Sequence, residues 1–163
     1  MPFMYEITFL PERVATRFYG SRGNYYLMSG VGTLKLLLQL VWCRKCGDFS
    51  EAERLPSMEE IDARIATIRR WGEQFRMQGI PGEEKGSLKR EMEELTLRRA
   101  WRHDRVTPPK CIKCGSLSFV LLNEGVVANP TGSGTIEIRT VGMCSSDFND
   151  WTFTPEGDRI RSD

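Results

Sequence analysis

The sequence predicts an α+β fold, a small antiparallel sheet assembled from both ends of the chain with an antiparallel helical hairpin inserted between them. Three observations predict it. Short runs rich in β-branched and aromatic residues, punctuated by glycine, occupy both ends of the 163 residues. The hydrophobic period changes to a helical one over the middle third. Two Cys-x-x-Cys pairs, at Cys43/Cys46 and Cys111/Cys114, bracket that helical stretch. The length suits one domain, read as residues 1–163 in three parts: strands and the first cysteine pair over 1–56, the hairpin over 57–105, and the second pair with further strands over 106–163.

The first strand runs from Tyr5 to Leu10, and strand character returns from Asn24 to Trp42. Thr33 to Trp42 reads as one strand entered through Gly30-Val31-Gly32, because glycine reaches positive φ without steric penalty and so makes a hairpin turn. Asp48 to Arg54 reads as a strand leaving the first cysteine pair. After Leu55-Pro56 the period changes. Ser57 followed by Glu60 is a capping-box pattern, and Met58, Ile61, Ile65, Ile68, Gly72 and Phe75 recur at helical spacing to about Gln78.

Gly79-Ile80-Pro81-Gly82 stops that helix, and a second runs from about Glu84 to His103 with Leu88, Met92 and Leu95 on one stripe. The stripe is narrow, nearer a coiled-coil seam than a broad core face, so the two helices are expected to pack on each other. Beyond Pro108-Pro109 and the second cysteine pair, Ser118 to Asn123 is a short strand and 129–134 a loop. Thr135 to Met143 alternates as a half-buried strand, Asp150 to Thr154 is a last one, and the polar stretch from Pro155 is expected to fray.

Composition narrows the function. Lys+Arg 23 against Asp+Glu 22 leaves a formal charge of +1, so no global field draws the chain to nucleic acid or an anionic membrane. The apolar run from Leu34 to Trp42, broken by Lys35 and Gln39, is about half the ~20 residues a membrane helix needs, and no membrane span is expected. The start, Met1-Pro2-Phe3-Met4-Tyr5-Glu6, lacks a basic, apolar secretory leader, so the expected location is cytoplasmic. Four of the five cysteines fall in the two pairs, which in a reducing compartment points to thiolate metal ligands in place of disulfides.

Each pair reads Cys-x-x-Cys-Gly: Cys43-Arg44-Lys45-Cys46-Gly47 and Cys111-Ile112-Lys113-Cys114-Gly115. Two thiolates can grip one ion while the glycine turns the backbone N–H groups toward sulfur. On these ten residues the chain resembles the zinc-ribbon superfamily. The resemblance implies a zinc ribbon with four cysteine ligands, in which one structural Zn2+ is held by Cys43, Cys46, Cys111 and Cys114, and it assigns no function. The 64 residues between Cys46 and Cys111 exceed the spacing of a compact ribbon, and the helical insertion accounts for them. A closed four-thiolate site leaves no position for substrate. The competing reading is a dithiol redox catalyst, which calls for a thiol at a helix N-terminus, and neither pair opens a helix.

Three functional readings follow. The first is a non-catalytic, zinc-stabilised protein-binding module, of the adaptor, inhibitor or immunity-protein kind, acting through its helical hairpin or a sheet edge on a protein partner. Absences favour it: no acid–base constellation, no phosphate loop (Thr131-Gly132-Ser133-Gly134 precedes a strand and lacks Lys-Ser/Thr), and eleven basic against ten acidic residues over 57–105, a mixed-sign surface suited to protein contact. The second is a nucleic-acid-binding zinc ribbon using Arg98, Arg99, Trp101, Arg102, Arg105, Lys110 and Lys113. Six basic residues and one acid lie between Arg98 and Lys113, with Trp101 among them as a stacking platform. The third is an enzyme using Cys144 as nucleophile or His103, the only histidine, as acid–base group.

Overall fold

The computed structural model describes residues 3–21, 23–78, 82–143 and 151–160. The fold is α+β, with two helices and three mostly antiparallel sheets among the described residues. The chain divides into two compact units, one of Met1–Arg54 with Thr107–Asp163 and one of Leu55–Val106.

In the β unit, β1 (Phe3–Leu10) turns back into β2 (Val14–Tyr19), and β9 (Thr135–Met143) pairs along the other side of β1 with β8 (Gly125–Ala128) outside it, giving the order β2-β1-β9-β8. Alternation sets the register: Tyr5 faces Phe18, Ile7 faces Ile138 and Phe9 faces Ile136, so one surface of this sheet is apolar. A second sheet, β6-β5-β7, is made of β5 (Leu38–Cys43), β6 (Asp48–Glu53) and β7 (Phe119–Leu121). Ile7, Ile136 and Ile138 of the first sheet cluster with Leu40, Phe49 and Leu122, and Phe9, Phe18 and Trp42 pack around them. Burying each of these aliphatic side chains contributes about 1.5–3 kcal/mol. This core holds β5 and β6, and with them the first cysteine pair.

The third sheet has the order β11-β10-β3-β4 and buries Tyr26, Leu34 and Phe153. Its hairpin of β3 (Tyr25–Met28) and β4 (Gly32–Lys35) turns through residues 29–31, where Gly30 has φ 73°. Its other strands are β10 (Thr152–Phe153), parallel to β3, and β11 (Arg159–Ile160). Thr33 to Trp42, expected as one strand, is two: the chain leaves β4 at Leu36, whose N–H bonds to the Asn24 carbonyl at 2.9 Å, and enters a different sheet at Leu38. The apolar residues Leu36-Leu37-Leu38 conceal such a corner, because nothing in them resembles a turn. The strands β2 and β8 were not expected, and Arg159–Ile160, expected to fray, pairs with β10.

In the helical unit, α1 spans Met58–Gln78 and α2 Gly82–Asp104. Of the expected stop between them, Gly79, Ile80 and Pro81 lie outside the described residues. The capping box forms as the sequence predicts: the Ser57 N–H donates to Glu60 Oε2 at 2.8 Å and the Glu60 N–H to Ser57 Oγ at 3.1 Å. Ile61, Ile65 and Ile68 are buried. Ion pairs of Arg64 with Glu91 (2.6 Å) and Arg99 with Asp62 (2.6 Å) join the helices, and their opposite order along the chain shows the pair to be antiparallel. Among the described residues, no helix is long and apolar enough to cross a membrane.

Candidate metal centre

The sequence builds each cysteine pair as a tight turn. In the first, the Gly47 N–H closes onto the Cys43 carbonyl at 2.9 Å; in the second, the Gly115 N–H closes onto the Cys111 carbonyl at 2.8 Å. Gly47 and Gly115 have φ of 63° and 70°, a conformation that costs an L side chain roughly 1–2 kcal/mol. The turns aim backbone N–H groups at sulfur, from Cys46 onto Cys43 and from Lys113 and Cys114 onto Cys111.

Strand pairing brings the turns together. Cys43 ends β5 opposite Asp48 of β6 and Phe119 of β7, and Cys111 bridges to Ala52 of β6. The Arg44 N–H bonds to the Ser118 carbonyl (3.0 Å), and the Ile112 N–H to the Glu51 carbonyl (3.0 Å). As a result the four sulfurs lie within 4.8 Å of one another, with Cys43 Sγ 3.5 Å from Cys114 Sγ and Cys46 Sγ 4.0 Å from Cys111 Sγ. All four cysteines are free of disulfides. A tetrahedral ion with metal–sulfur bonds of about 2.3 Å has sulfurs about 3.8 Å apart. The cluster therefore fits a single metal ion with four thiolate ligands.

The electrostatics favour the thiolate at Cys43 and the thiol at Cys46 and Cys111. Burial pushes the Cys43 thiol up, and hydrogen bonds from the Cys46 N–H and the neighbouring thiols more than offset it, holding it at about 7. Burial pushes Cys46 and Cys111 up, so a cation bound among them would have to displace their protons. Ser50 Oγ lies 3.3 Å from Cys111 Sγ, a hydrogen bond that holds this ligand from outside the ring of sulfurs. Ser50 gave no signal in the sequence, since Ser-Glu-Ala-Glu reads as a solvated strand.

The other candidates are placed as follows. In the helical unit, Arg98 is buried and paired with Glu94 at 2.7 Å, and Arg99 is paired with Asp62. Trp101 is 5 % exposed with the Arg105 guanidinium 5.3 Å above its ring, so it presents little surface for stacking on a base. Arg102 donates to the Pro56 and Arg105 carbonyls at 3.0 and 3.2 Å. In the β unit, Lys110 pairs with Asp158 and Lys113 with Asp48. His103 is exposed, with Nδ1 3.0 Å from Asp104. Cys144 lies outside the described residues. Compared with known proteins, the chain matches no family model, no curated protein and no solved structure, so its likeness to zinc ribbons rests on the two cysteine knuckles alone.

Proposed function

We propose that the chain is a zinc-stabilised, non-catalytic protein-binding module that docks through a sheet edge. The observation that carries this reading is the convergence of four thiolates on one point, which gives a tetrahedral ion a complete ligand set and no open position for a substrate. Four sulfur ligands suit zinc, and a reducing compartment such as the cytoplasm would keep them available. The ion would bring little chemistry of its own: it would hold segments far apart in sequence, and its binding energy would be folding energy.

The sheet edge is favoured over the helical hairpin by its pairing. The strand β2 lies outermost in its sheet, with Val14 62 % and Tyr19 44 % exposed and no strand on its outer side among the described residues. An unpaired strand edge with exposed apolar side chains is suited to adding a strand of a partner. The hairpin's charges, by contrast, are largely spent on one another, as in Arg64–Glu91 and Arg99–Asp62.

Two measurements test the reading. Metal analysis of the purified chain is expected to return one zinc per chain, and none in a Cys111→Ser variant; a zinc-free, fully folded protein would overturn the structural role. A photo-crosslinker at Tyr19 is expected to capture a defined protein in the native host, and Val14→Lys to suppress that capture. Titration with mixed oligonucleotides at low salt is expected to show no saturable binding. Micromolar binding that weakens steeply with salt would replace this reading with the nucleic-acid one.

A further inference from the structure

The outer strands β2 and β6 of two packed sheets leave a cavity of about 390 Å³ between them, a size suited to a small ligand or one long side chain. Phe18, Tyr19, Phe49 and Trp151 contribute aromatic wall. The charges around it are unequal in their pairing. At the rim, Arg17 faces Glu6 at 3.9 Å and Lys113 faces Asp48 at 3.6 Å, so the two cations are each answered by an acid. Inside, Glu51 is only 9 % exposed and has no cationic partner among the described residues.

The two oxygens of Glu51 are used differently. Oε2 accepts from the Ser21 N–H at 2.7 Å and from the Ser21 hydroxyl. Oε1 accepts no hydrogen bond from any described residue. Gly20 leaves it room: a Cβ at that position would stand 2.6 Å from Oε1. Burying a carboxylate with one oxygen unmet is costly, and a charged N–H donor brought by a ligand would relieve the cost. An anion would meet Glu51 as a like charge. A divalent metal ion would find too few oxygen ligands. An organic cation would meet the open oxygen with its charge and the rings with its stem, and Trp151 already carries the Arg159 guanidinium at 4.0 Å on its ring.

We propose that the cleft between β2 and β6 binds an organic cation, an ammonium or guanidinium on an apolar stem, with Glu51 Oε1 as its anchor. This site shares β2 and Tyr19 with the sheet-edge reading above but does not require it. The same chemistry has two sources, a free amine or guanidine and a lysine or arginine side chain of another protein.

Calorimetric titration of the metal-loaded full chain with butylammonium, butylguanidinium, 1-butanol and butyrate tests the proposal. Saturable binding of one or both cations at about millimolar concentration is expected, at least about tenfold weaker for butanol and undetectable for butyrate. Glu51→Gln is expected to weaken cation binding by about tenfold or more, a loss of about 1.4 kcal/mol. Cations binding no better than butanol, no cation binding up to about 50 mM, or a folded Glu51→Gln variant that binds as well as the parent would each overturn it. The butanol comparison uses the unmodified protein, so it decides the matter even where the variant does not fold. Capped lysine and arginine peptides binding more tightly than the free cations would assign the site to a protein side chain, and the reverse order would assign it to a small molecule.

Discussion

Glu53, the last residue of β6, is 1 % exposed, with Oε1 accepting from the Tyr26 hydroxyl at 2.6 Å and Oε2 from the Lys110 N–H at 2.8 Å. Removing one partner of a buried charged group leaves the other side unsatisfied. Tyr26→Phe is expected to cost about 1.5–3 kcal/mol and Glu53→Ala about 3 kcal/mol or more in urea denaturation; values below about 0.5 kcal/mol would show that these bonds hold nothing. Glu51, two residues back, makes a pH-dependent prediction. Burial raises it above the ordinary carboxylate range, against the Ser21 bonds that lower it. The folded state keeps this proton to a higher pH than the unfolded chain, so stability falls as pH rises from about 4.3 through the raised value and is level beyond it. Glu51→Gln is expected to remove that fall, matching or exceeding the parent in melting temperature near neutral pH and showing no advantage below about pH 4. Neither role was legible in Ser50-Glu51-Ala52-Glu53, where two acids in four residues suggest a solvated face. Burial of the strand from Phe49 to Glu53 reverses that reading, and only the third dimension shows it.

At the scale of the element, local chemistry was the most legible. Ser57 and Glu60 define the start of α1 because the capping box is a contact between near neighbours. Ser57→Ala is expected to cost about 1 kcal/mol, read as earlier loss of helical ellipticity on heating. Gly47 and Gly115 were legible for the same reason, since the tight turn after each cysteine pair needs their positive φ. The strands β2 and β8 were not, although each forms a hairpin with its neighbour in the chain, because both are largely exposed and carry no alternation of buried positions to mark them. The break between β4 and β5 was hidden by its own hydrophobicity.

Over the whole molecule, the paired knuckles were legible from spacing alone, since two Cys-x-x-Cys-Gly turns have few other uses in a reducing compartment. The cleft between β2 and β6 was not, because its walls come from segments distant in the chain. Chelation is expected to lower the melting temperature of the β unit markedly and to open the four thiols to alkylation; an unchanged melt would show that strand pairing alone suffices. The unit is also expected to survive without its insertion. The Glu53 N–H bonds to the Lys110 carbonyl at 2.9 Å, so the strand leaving toward 55 and the segment returning from 106 run side by side. Replacing Leu55–Val106 with a short Gly-Ser linker is expected to leave a folded chain that binds one metal ion, checked by metal stoichiometry and near-ultraviolet dichroism.

The pairing of β1 with β9 sets Phe3 opposite Met143, which bears on how the polypeptide comes off the ribosome. At roughly 5–20 residues per second, Cys114 emerges some seconds after Cys46, and the helices made in the interval can close through local contacts while the first knuckle still lacks its counterpart. One edge of β1 is thus met at once by β2, while its other edge stays open until β9 has been made.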